Sequence, residues 1–107
     1  MKVVLVKARV LMAAYGNVLI ELPIEGTELK KWVLICNINP GGPFGGSATQ
    51  YFVGTFDGKR FVNESPKATK WMDWGKDHYA TVTWSNAPEG RHIALAWMSN
   101  WQYANNV

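Results

Sequence analysis

Hydrophobic and polar positions alternate most clearly between Lys31 and Asn37. Trp32, Leu34 and Cys36 fall on one face of an extended chain, Val33 and Ile35 on the other. Apolar residues on both sides predict a strand covered on both faces. Thr49 to Phe56 is rich in Tyr, Phe, Val and Thr, which suit a pleated surface, and predicts another strand. Asp57-Gly58 then offers turn chemistry ahead of Lys59, Arg60, Phe61 and Val62, a hairpin signal. His78–Trp84 and Arg91–Met98 predict two further strands, linked by the turn-forming run Asn86-Ala87-Pro88-Glu89-Gly90. Residues 1–20 are apolar and β-branched, broken by Lys7 and Arg9. They predict a strand or two without a clean period. Leu22 to Thr27 reads as a turn-rich connection. Pro40 to Ser47 holds four Gly and two Pro and must be a loop. Residues 63–76 form a long polar connection with scattered Trp. Nothing sustains a helical period, so the fold class is all-β with antiparallel strands.

Composition narrows this picture. The chain has 107 residues, which suits one small domain. Hydrophobic residues are 48% and charged residues 18%, so the chain is neither disordered nor fibrous. A net charge of +3, spread over scattered basic residues, argues against a nucleic-acid partner. No apolar run approaches the roughly 18 residues of a membrane helix. Lys7 and Arg9 also cut the N-terminal apolar stretch short of the ~7–15 residues of a signal-peptide core. Localisation is therefore left unassigned. A single Cys excludes an intramolecular disulfide framework and a Cys-cluster zinc site. Cys36, in mid-strand, reads as a small buried hydrophobe. His78 and His92 sit on predicted strands without partners at ligand spacing, so neither a metal site nor a cofactor is expected. The glycine loop lacks the Gly-Lys-Ser/Thr opening a helix that a phosphate cradle needs, and Ser47 leads into a strand instead.

The unusual feature is six Trp, beside four Tyr and four Phe. Trp71 to Ala80 gathers two Trp, two Asp, a Lys, a His and a Tyr in ten positions. A sugar ring offers hydroxyls to carboxylates and amides and an apolar C–H face to aromatic rings, so this mixture suits a carbohydrate site. Trp97 to Tyr103 alternates rings with amides in the same manner. The competing reading is that these rings fill space between small sheets. For Trp74 and Trp101 both readings stand, whereas Trp84 and Trp97, inside strands, are expected in the core.

The segments ELPIEG, KWVLICNINPGGPFGGSATQYFVGTFDGKRF, DWGKDHYATVTWSN and RHIALAWMSNWQYANNV resemble glycoside hydrolase family 32, the levanases, inulinases and invertases. The resemblance covers residues 21–107. It implies a five-bladed β-propeller in which terminal β-fructofuranosyl units are hydrolysed with retention. Residues 21–107 would correspond to the end of the third blade, the fourth blade and the start of the fifth. The fold expected is thus about one to two propeller blades, incomplete. By resemblance Asp77, Tyr79 and Trp101 lie near the fructose pocket, Asp77 binding hydroxyls or positioning the acid and the rings forming walls.

The catalytic motifs of the family are missing from this sequence. They are a nucleophilic Asp in a WMNDPNG-type motif, a transition-state Asp in an RDP motif, and an acid Glu in a WECPDLFELP-type segment. Aligning the family's ELP on Glu21-Leu22-Pro23 places Tyr15 at the acid's position. A phenol of pKa near ~10 cannot replace a tuned carboxylic acid. Ala14 to Ile20 can be encoded GCA TAT GGG AAT GTC CTG ATT. From its third base this reads ATA TGG GAA TGT CCT GAT, or Ile-Trp-Glu-Cys-Pro-Asp. We therefore expect residues 1–20 to be a non-family segment, an out-of-frame translation of a fructosidase gene, with the family frame restored near Glu21. The resulting expectation is a portion of a fructan β-fructosidase, levanase-like, that is inactive alone and has no catalytic residues of its own. The alternative is a non-catalytic carbohydrate-binding or interaction module. Partners expected are fructans or fructo-oligosaccharides and a second copy of the chain, pairing through exposed strand edges, with no nucleic acid and no membrane.

Overall fold

The computed structural model describes residues 18–84 and 86–106. The expectation of an early strand in residues 1–17, and the position of Tyr15, lie outside the described residues. Six strands follow in order: β1 (Val18–Pro23), β2 (Lys30–Ile38), β3 (Ala48–Phe56), β4 (Phe61–Asn63), β5 (Tyr79–Trp84) and β6 (Ile93–Trp97). The first four form one sheet in the order β1-β2-β3-β4, and β5 pairs with β6 in a second. The β1–β2, β3–β4 and β5–β6 pairs are antiparallel. The all-β expectation therefore holds, with the antiparallel strands in two sheets.

By contact density the described residues divide into two compact units. One contains residues 18–36 and 51–70, the other 37–50 and 71–106. In the first unit, β2 presents Leu34 and Cys36 to Phe61 on one face. Leu19, Trp32, Phe52 and Phe56 pack against this nucleus, and the Trp32 and Phe56 rings meet edge to face at 5.2 Å. Ile35, of opposite parity, is buried as well. This is the strand covered on both faces that the run of apolar residues demanded.

Two elements differ from the sequence reading. Leu22 and Pro23 belong to β1, which pairs with β2 from Val18↔Ile35 to Pro23↔Lys30. The turn begins only at Ile24, whose N–H donates to Leu29 O and whose carbonyl accepts from Thr27 N–H. Proline is tolerated there because it ends a strand at the sheet's edge. The β3–β4 connection is the predicted hairpin, but its loop is Asp57 to Arg60 rather than a two-residue turn. Asp57 Oδ1 accepts from the N–H groups of Lys59 at 2.8 Å and Arg60 at 2.7 Å, closing a side-chain-mediated turn, and Gly58 supplies the positive φ.

In the second unit β5 carries a bulge. Tyr79 pairs with Trp97 and Val82 with Leu95, so Ala80 and Thr81 together face one residue of β6. Ala80 takes a φ of 52° to make this possible. The extra residue restores a common side for Tyr79, Val82 and Trp84, which strict alternation would have split. Trp84 is a correction to the sequence reading: it lies on this face 56% exposed, not in a core. Trp97 is half-buried.

Candidate functional site

The interior of the second unit is built from small polar side chains. Ser47, Thr49, Thr81 and Asn100 are fully buried, and Asn37 nearly so. Groups removed from water in this way have to find partners. Asn37 Oδ1 accepts from the Thr49 hydroxyl at 2.9 Å and from the Thr81 N–H at 3.0 Å. Thr49 Oγ1 lies 2.8 Å from Thr81 Oγ1 and 3.0 Å from His78 Nδ1 and from His78 O. Each hydroxyl has one proton, so the contacts form a directed network rather than independent bonds. His78 and His92 precede their strands instead of lying within them. His78 thus belongs to a buried polar network, a role its sequence position did not suggest.

A second network converges on Asp77. Its carboxylate is buried, and its backbone holds a φ of 73°, in the left-handed region. Oδ1 accepts from the Ser47 N–H at 3.0 Å and from Asn100 Nδ2 at 2.8 Å. The Ser47 hydroxyl lies 3.0 Å from both Asp77 Oδ1 and Ser99 O, between which its one proton is shared. Oδ2 accepts from the Tyr103 hydroxyl. The Lys76 ammonium sits 5.8 Å from the centre of the Tyr103 ring, a cation–π contact. Burial by itself would raise the Asp77 pKa. Donation by the Ser47 N–H, the Asn100 amide and the Ser47 hydroxyl, with the charge of Lys76, outweighs it and holds the carboxyl below its ordinary range.

Gly46 makes room for this arrangement. A Cβ at this position would stand 2.6 Å from Asp77 Oδ1 and 2.9 Å from Lys76 Cγ, and the residue has a φ of 71°. Both the space and the backbone conformation favour glycine. The glycine loop is therefore a β–β connection, as the sequence indicated, with one glycine fitted to a carboxylate.

The three residues singled out from the sequence are placed as follows. Asp77 and the turn carrying Trp101 are joined through Asn100. The Asn100 amide N–H₂ donates to Asp77, and its Oδ1 accepts from the Gln102 N–H at 2.8 Å, bracketing Trp101. The Trp101 ring is 78% exposed and meets Trp97 edge to face at 5.4 Å and 68°. Tyr79 is half-buried and is tied to the pair only through its strand partner Trp97. Among the described residues it makes no hydrogen bond to the Asp77 cluster. Trp74 and Phe44 are also exposed, on the segments just before Asp77 and Ser47. Sequence reasoning missed Gly46, Ser47, Asn100 and Tyr103 as working residues. Asn100 and Tyr103 stood in the ring-and-amide run, and their alternation was the available signal. Nothing local marked Ser47.

Comparison with known proteins covers most of the chain. Residues 17–107 match the glycosyl hydrolases family 32 N-terminal domain. The chain is 57% identical over 88 residues to an extracellular exo-inulinase of Meyerozyma guilliermondii, covering 81% of this chain and 17% of that protein. It is 50% identical over 93 residues to a levanase of Bacillus subtilis, covering 83% and 14%. A solved fructofuranosidase from Schwanniomyces occidentalis, complexed with fructose, superposes with a TM-score of 0.72 at 52% identity, covering 83% of this chain and 17% of that one. The chain thus spans about a sixth of the length of these relatives.

Proposed function

The chain belongs to glycosyl hydrolase family 32, and we propose that its second unit supplies part of the wall of a pocket for β-fructofuranosyl units. Its fold, all-β with antiparallel strands in two sheets, is consistent with the family's N-terminal β-propeller domain. The observation that carries the proposal is Trp101, a large exposed ring held on a turn bracketed by Asn100. An indole face fixed in this way, beside buried amide and carboxylate groups, suits the apolar face of a furanose. The names of the relatives, exo-inulinase and levanase, and a structure described as complexed with fructose favour fructans and fructo-oligosaccharides as ligands. In this reading Trp101 and Tyr79 are wall residues, Asp77 supports Trp101 through Asn100, and the parent reaction is hydrolysis of fructan linkages, levanase-like.

These 107 residues are proposed to bind without hydrolysing. Retaining hydrolysis needs two carboxyl groups about 5–5.5 Å apart, one of them a proton donor with a raised pKa. Asp77 fits neither role, since its oxygens are occupied by protein donors and its carboxyl is held ionised. Self-association through exposed strand surface is proposed as well. Titration of the purified chain with kestose, followed by Trp fluorescence, tests the binding. Saturable binding that is abolished in Trp101→Ala supports it, and the absence of binding by the wild-type chain overturns it. Release of fructose from levan, inulin or sucrose by the purified chain would overturn the claim that it does not hydrolyse.

A further inference from the structure

We infer that Asp77 is a positioning residue, a three-segment clamp whose carboxylate fixes the turn presenting Trp101. The consequence for sugar binding rests on the fructosyl-pocket reading above, but the clamp itself does not. Its donors come from chain segments far apart in sequence. Ser47 lies 30 residues before Asp77, Asn100 23 residues after and Tyr103 26 residues after. One side chain therefore ties the end of the glycine loop and the segment 98–103 to the stretch that follows Trp74.

The carboxylate is used on both oxygens. A carboxylate offers about four lone-pair sites. Here Oδ1 receives the Ser47 N–H, the Ser47 hydroxyl and the Asn100 amide, while Oδ2 receives the Tyr103 hydroxyl. Three full donors and the shared Ser47 hydroxyl proton, aimed at two oxygens, call for an acceptor-only group. An Asn in this place would turn an N–H₂ toward at least one of them. The same occupancy directs Asp77 toward holding protein rather than sugar hydroxyls.

The effect reaches Trp101 by a short route. Asn100 is fully buried, donates to Asp77 and accepts from the Gln102 N–H, so both neighbours of Trp101 are fixed by one amide. The exposed ring itself has an edge contact with Trp97. Two further features mark the site as built around the carboxylate. Gly46 leaves the space that a Cβ would take from Oδ1. Asp77 itself adopts a left-handed φ, which persists where surrounding contacts over-determine it.

The test is Asp77→Asn in the 107-residue chain, with Asp57→Asn as a control carboxylate in a hairpin turn. Readouts are far-UV circular dichroism, the Trp101 indole N–H resonance assigned with Trp101→Phe, and kestose affinity. The clamp predicts retained β-sheet signal, a displaced Trp101 resonance in Asp77→Asn only, and affinity reduced about tenfold through lost preorganisation. An unchanged Trp101 resonance in Asp77→Asn, or an equal displacement in Asp57→Asn, overturns the clamp. If Asp77→Asn fails to fold, Ser47→Ala removes one donor and keeps the backbone one. A smaller displacement in the same direction then supports the clamp, and no displacement overturns it. If the wild-type chain binds no kestose, the pocket reading falls, while the resonance still decides the clamp.

Discussion

Asp57 and Asp77 reach a similar electrostatic state by different means. Asp57 is lowered chiefly by the N–H groups of Lys59 and Arg60 in its own turn. At Asp77 burial opposes ionisation, and donors from distant segments overcome it. Both folded-state values lie below the unfolded carboxyl's ordinary pKa of about 3.9. The stability they contribute is therefore fully present above about pH 4 and is lost as pH falls through the folded values. Urea midpoints measured from neutral to acid pH should fall below about pH 4 in the wild-type chain, and less steeply in Asp77→Asn. An identical acid slope in the variant would refute the assignment. Cys36 has the opposite sign. Burial pushes its thiol from 9.0 up to about 11. Its contribution is present below pH 9 and lost as pH rises toward 11. The folded chain should resist a thiol-specific reagent at about pH 8, near the ordinary thiol value, and react promptly in urea. The burial of Cys36 was legible in the sequence, because an apolar strand surrounds it. The interior of the second unit was not, because Thr49, Thr81 and Asn37 look like surface residues until a network satisfies them. Thr49→Val keeps the shape and removes one hydrogen bond each from Asn37, Thr81 and His78 inside a buried network. It should cost about 1–3 kcal/mol, read as a lower urea midpoint at unchanged slope.

Strands were legible where side-chain chemistry and periodicity agreed, as in β2 and β3. They were misread where a punctuating residue sits inside an element, as Pro23 does at the end of β1. The bulge in β5 was also hidden, because its cue is only the odd spacing between Tyr79 and Val82. Gly54 shows the limit from the other side. It pairs with Asn63 inside β3 and has no room for a Cβ, which would overlap the Val62 carbonyl. That obstacle is backbone and cannot rotate away. Gly54→Ala should therefore destabilise by about 1–3 kcal/mol, the order of an overpacked site, by disturbing the short β3–β4 ladder. Gly58→Ala, in the adjoining turn, meets open space and is opposed only by its φ of 95°. Comparing the two thermal midpoints separates steric from conformational need. Equal losses would sink the steric account of Gly54.

At the scale of the whole molecule, the decisive feature is apolar surface that the described residues leave uncovered. Val82, Trp84, Ile93 and Leu95 are exposed on one side of the β5–β6 hairpin, in the cross-strand pairs Val82↔Leu95 and Trp84↔Ile93. The sequence reading assigned Trp84 to a core because a strand Trp is normally covered. Among the described residues nothing covers it, and a second copy of the chain is proposed as the cover. Contiguous apolar patches of this kind favour association. Burying one such side chain contributes about 1.5–3 kcal/mol, so removing it should weaken a dimer by roughly tenfold or more. Sedimentation equilibrium should show concentration-dependent dimers of the wild-type chain and a shift toward monomer in Trp84→Ser. Dimers that persist unchanged in Trp84→Ser would move the contact to the unpaired strand edges, where main-chain hydrogen bonds rather than this face hold the copies together. A wild-type chain that stays monomeric at every concentration would show that the hairpin face remains in water, and the self-association proposal would fall.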